Sequence, residues 1–129
     1  MLRNVNDPVV RISTTIAAAA AVSGSISLLG RGPRGVAVQV PSAWTAADLA
    51  MEVSEDGTTW VHVRDEIGAI VRIISIQTSE AGIYLFPASS WYTGAFPFMR
   101  LVSLNTTSGT TWTIVNQASE RSLKVVLLG

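Results

Sequence analysis

The sequence predicts an all-β fold, an antiparallel β-sandwich or jelly roll of about eight to ten short strands with an N-terminal arm. Three observations predict it. Short runs of alternating or β-branched apolar residues recur along the 129 residues. Turn chemistry (Gly, Pro, Asp-Gly and Ser/Thr/Asn clusters) separates those runs at regular spacing. No apolar pattern of helical period persists for about ten residues anywhere.

Residues 9–16 are rich in Val, Ile and Thr, which is strand chemistry. The five alanines that follow extend this strand or form a helical turn that Gly24 would end, so residues 1–23 read as an arm or a first strand. Residues 24–129 form the sandwich domain. Within it, residues 25–29 make a short strand and residues 30–35 a turn. Val36, Val38 and Val40 then alternate with Ala37 and Gln39 up to Pro41, which cannot donate to a ladder. Residues 42–48 suggest one helical turn carrying Trp44 across an end of the sandwich.

Leu49, Met51 and Val53 predict a half-buried strand. Asp56-Gly57 supplies the positive φ of a hairpin turn into the partner strand at residues 59–63. A turn at 65–68 leads to the apolar run 70–76, expected at the centre of a sheet. Residues 82–86 form a strand ended by Pro87, and residues 88–97 are irregular and aromatic-rich. Residues 98–104 place Phe98, Arg100, Val102 and Leu104 on one face and Met99, Leu101 and Ser103 on the other. A turn over 105–111 precedes strands at 112–115 and 122–128.

Composition narrows the function. Nine basic and nine acidic residues balance to a net charge of zero, which is not the electrostatic footprint of a nucleic-acid binder. Arg31 and Arg34 form a local basic spot and are expected in a solvated turn. Charged residues make up 14% of the chain, against roughly 25% in ordinary domains. A surface so weakly charged is poorly defended against association, which favours a homo-oligomer. The apolar run at 16–22 is too short to span a bilayer, and the polar residues before it argue against a signal peptide. With no cysteine, neither disulfides nor thiolate metal sites are available. That suits both a reducing compartment and a particle assembled inside a cell.

Catalytic chemistry finds little support. His62 is the sole histidine, so no multi-histidine metal site or catalytic triad is expected. Alternation puts His62 and Trp60 on one strand face, as a surface or interface pair. The carboxylate pairs Glu55/Asp56 and Asp65/Glu66 lie in turns and match neither a glycosidase pair nor an EF-hand loop. No glycine motif cradles phosphate, and no cofactor or metal is expected. Four tryptophans, Trp44, Trp60, Trp91 and Trp112, fit either core and interface packing or an aromatic platform for sugars.

Four strings in order carry a resemblance: PSAWTAAD (41–48), VSEDGTTW (53–60), YLFP (84–87) and RLVS (100–103). The second resembles the hairpin of discoidin-like, galactose-binding-like jelly rolls. Their order resembles small virion proteins of tailed bacteriophages across residues 35–128. That resemblance implies a virion structural protein made in the host cytoplasm, foremost a head decoration or cement protein, or else a neck or tail component. It implies major capsid or other virion proteins as partners, and a trimer on a local three-fold axis. The alternative is a carbohydrate-binding module using Trp91 and Tyr92. Candidate interface or binding residues are therefore Trp44, Trp60, His62, Trp91, Tyr92, Phe96, Arg31 and Arg34.

Overall fold

A computed structural model describes residues 9–28, 35–87, 96–108 and 110–128. Among the described residues are ten strands: β1 (Val10–Ile16), β2 (Ile26–Ser27), β3 (Gly35–Val40), β4 (Asp48–Ser54), β5 (Val61–His62), β6 (Arg72–Ile73), β7 (Gly82–Leu85), β8 (Phe98–Thr107), β9 (Thr111–Ile114) and β10 (Arg121–Leu128). Every strand pairing is antiparallel. A four-stranded sheet in the order β1-β10-β3-β7 faces a six-stranded sheet built on β2-β8-β4-β5, with β6 beside β4 and β9 beside β8. The protein is a β-sandwich. The described residues contain no helix, and hence none long and apolar enough to cross a membrane.

The core lies between the sheets because alternation sends one side chain in two inward from each strand. Ile16, Val36, Val38, Val40, Leu123, Val125 and Leu127 come from one sheet, and Leu49, Met51, Val53, Met99 and Leu101 from the other. Trp44 joins them, fully enclosed, with its indole N–H donating to the Ala47 carbonyl at 3.1 Å. The expected helical turn around Trp44 is a bend instead. Ala43 there adopts φ 64° while its N–H donates to the Thr78 carbonyl at 2.7 Å.

Residues 9–23 belong to the sandwich body. β1 runs the length of β10, from Val10 opposite Leu127 to Ile16 opposite Arg121. After the turn at the alanines the chain bonds to β8, the Ser23 N–H donating to the Leu101 carbonyl at 2.9 Å and the Ala21 carbonyl accepting the Ser103 N–H at 2.7 Å. The Ser23 hydroxyl accepts the Leu101 N–H at 2.9 Å. Truncation through Val22 would therefore remove a sheet edge; residues 1–8 of the expected arm lie outside the described residues.

Two other expectations change. The apolar run at 70–76 is not central: of it only Arg72–Ile73 pairs with β4, at that strand's edge. β5 and β6 lie end to end along the same side of β4. Between them, residues 63–71 leave the edge as a small hairpin, closed by an Arg64–Ile70 bridge and by Asp65 accepting the Ile67 and Ala69 N–H groups, both at 3.0 Å. β4, in turn, is buried on both faces rather than one, since Ala50 packs with Ile70, Val102 and Leu104 on the outer side of its sheet.

Candidate functional site

That outer side of the six-stranded sheet collects the polar and aromatic groups. Alternation sends Asp48, Ala50, Glu52 and Ser54 of β4 to this face, and register places Arg100 of β8 and His62 of β5 on either side of Glu52. Arg100 Nε donates to Glu52 Oε1 at 2.7 Å. His62 Nε2 stands 3.7 Å from Glu52 Oε2, beyond hydrogen-bond range. At the start of β4, Arg72 Nε donates to Asp48 Oδ2 at 3.1 Å.

Two indoles close this row. The Arg100 guanidinium lies over the Trp60 ring, 4.4 Å from its centroid, a cation–π stack. Trp112 of β9 meets the His62 ring edge-on, with centroids 4.5 Å apart and planes at 74°. The hairpin joining β8 to β9 is held by Arg64 Nη1, which donates to the Thr110 carbonyl at 3.3 Å and the Gly68 carbonyl at 2.9 Å. As a result the His62 side chain is only 7% exposed, and neither ring nitrogen has a hydrogen-bond partner. Burial pushes its pKa below the ordinary value. Glu52 opposes that shift, while Arg64 and Arg100 add to it. The histidine expected at a surface or interface is thus covered within the chain, and its charged form is disfavoured.

Chemically the row is a set of pairs that satisfy one another. Glu52 is tied to Arg100, and Asp48 to Arg72. Among the described residues no group of three or more His, Asp or Glu side chains stands ready to hold a metal ion. The β4–β5 turn is likewise self-contained. Asp56 Oδ1 accepts the Thr58 and Thr59 N–H groups at 2.9 and 2.8 Å and the Ser54 hydroxyl at 3.0 Å, which holds its pKa well below the carboxylate range.

The candidate residues part company here. Trp60 and His62 share one face, as alternation requires, but both are engaged. Trp44 is core and offers no surface to a partner. Phe96 is half-buried against the core. Trp91, Tyr92, Arg31 and Arg34 lie outside the described residues. Sequence reasoning missed Glu52 and Arg100 as a pair. Their signal was available: both occupy outward positions of alternating strands, where a lone charge between apolar neighbours invites an opposite one. No family model, curated protein or solved structure matches the chain.

Proposed function

We propose that the protein is a structural subunit of a phage virion, foremost a decoration or cement protein that stabilises the head by bridging shell subunits. The observation that carries this proposal is where the chain spends its polar and apolar groups. The described aromatic, acidic and basic side chains of the outer face hold one another, while apolar side chains are left uncovered elsewhere, with Ile83 66% and Leu85 70% exposed on β7. Surface of that kind suits a subunit that is covered by neighbours. The phage assignment itself rests on the order of the four sequence strings.

Its test is fractionation of a lysate in which the protein is made during phage infection. Co-sedimentation with assembled heads through a density gradient, and heads that lose DNA at lower temperature when the protein is absent, are the expected results. A protein that stays at the top of the gradient would overturn the proposal.

A further inference from the structure

β7 ends the four-stranded sheet, and its outer side is unpaired among the described residues. The Phe86 N–H donates to the Val36 carbonyl at 3.0 Å. In the same register Tyr84 opposes Val38 and Gly82 opposes Val40, so these alternate residues turn their N–H and C=O groups toward β3. Ile83 and Leu85 turn theirs outward, to the open edge. Their side chains are also the exposed ones, on the face away from the core.

An open edge is a template for another strand, and proteins normally blunt it with charge, a bulge or a cover. Two other edges of this sandwich show such devices. β1 carries Arg11 and short polar side chains. The β5–β6 edge is broken by the hairpin at 63–71. β9 is uncharged and exposed like β7, but it is one arm of a hairpin that Arg64 pins at Thr110, with Trp112 held against His62. Along β7 there is no charged residue from Ala81 to Pro87.

We infer that β7 is a homotypic docking edge, pairing antiparallel with β7 of a second copy about a two-fold axis through Tyr84. That register sets Ile83 opposite Leu85 of the other copy, and Leu85 opposite its Ile83. The outward N–H and C=O groups of all these residues then find partners, and the two four-stranded sheets become one continuous sheet. The next position outward would oppose Ala81 to Pro87, which has no N–H to give, so the ladder stops there. A second copy fits this edge better than a charged partner, because the edge is uncharged and the chain's net charge is zero. The pairing is isologous and uses up the edge, so it closes as a dimer and does not propagate. A strand this short buries less than the ~1,200 Å² of a stable interface. The dimer is therefore concentration-dependent in solution and is strengthened where copies are held side by side on a shell. The inference deepens the assembly-subunit proposal and rests on it for its biological sense; it also gives even-numbered symmetry in place of the expected trimer.

Sedimentation velocity of the full chain across a concentration series tests it. The wild type should shift from monomer to dimer as concentration rises. Ile83→Lys/Leu85→Lys and Ile83→Glu/Leu85→Glu variants should each weaken dimerisation at least tenfold, with circular dichroism unchanged because both side chains are exposed. An equimolar mixture of the two variants should restore it, since each lysine then faces a glutamate. Wild type that stays monomeric, a dimer indifferent to these changes, or a dimer lost instead on removal of residues 1–8 would overturn the inference. A dimer that forms in solution from protein that never co-sediments with heads would leave the edge standing and sink the virion proposal. Monomeric variants that still co-sediment would leave the virion proposal standing and deny the edge a role in it.

Discussion

Gln117 grips the main chain of Thr45 from both sides: its Oε1 accepts the Thr45 N–H at 2.8 Å, and its Nε2 donates to the Thr45 carbonyl at 3.1 Å. A side-chain amide here does what a neighbouring strand does elsewhere. The same Nε2 donates to the Ser103 hydroxyl at 2.9 Å, and Oε1 also accepts Arg121 Nε at 3.1 Å. Through its backbone, Gln117 bonds the alanine turn as well, accepting the Ala19 N–H at 2.9 Å and donating to the Ala20 carbonyl at 2.8 Å. One fully buried residue thus joins β8, β10, the Trp44 bend and the turn after β1.

Removing that amide strands its buried partners. Gln117→Ala should cost about 3 kcal/mol, the scale of leaving several buried groups unsatisfied. Gln117→Glu should fare little better, because a carboxylate cannot donate to Thr45 or Ser103. Urea denaturation compared with wild type checks both, and a loss below about 1 kcal/mol would remove Gln117 from this role.

The covered imidazole makes stability depend on pH. His62 has a folded-state pKa below its unfolded value of 6.5. The folded chain therefore binds its proton less readily than the unfolded one. Its contribution is present in full above about pH 6.5 and is lost as pH falls through the lower folded value. Denaturation midpoints measured from about pH 7.5 to pH 5 should decline for wild type, while His62→Phe, which keeps a ring against Trp112, should flatten that decline. Asp56 adds a separate and more acidic step. Its depressed pKa gives stability that is present above its ordinary 3.8 and is lost below it.

Arg100 is asked to do two things at once, to pair with Glu52 and to stack on Trp60. Lysine keeps the charge but has neither the planar fork nor the stacking face. Arg100→Lys should destabilise by about 1 kcal/mol and shift the Trp60 fluorescence, whereas Glu52→Ala, which leaves Arg100 uncompensated, should cost about 3 kcal/mol. Equal effects of the two substitutions would argue against the stack.

Much of this fold is legible in the sequence wherever one strand has one wet face. Val36, Val38 and Val40 announce β3, and the two sets of side chains along residues 98–104 fall on the faces that alternation assigns. Asp56-Gly57 marks its turn because Gly57 sits at φ 80°, where a side chain would be strained. Legibility ends where burial comes from distant segments. Glu52 alternates like a solvent-facing residue, yet it is covered by a partner 48 residues away. Gln117 sits in a polar stretch with no period, and its burial is decided by Thr45, 72 residues off. The run at 70–76 is apolar enough for a sheet centre, but the hairpin at 63–71 keeps it at the rim. The site follows the same pattern: alternation pairs Trp60 with His62, while the cover over His62 comes from Trp112, on a strand far along the chain.

The order β1-β10-β3-β7 has a consequence for synthesis. β10, the last strand in the chain, lies in the interior of its sheet, between the first strand and the third. During translation, β1 and β3 emerge early and find no neighbour between them. Until β10 has been made, the slot between them stays empty. Closing this sheet is slow, because β10 pairs with a strand more than about a hundred residues before it. A nascent chain stalled short of β10 is the species most exposed to aggregation, and the one most in need of a chaperone.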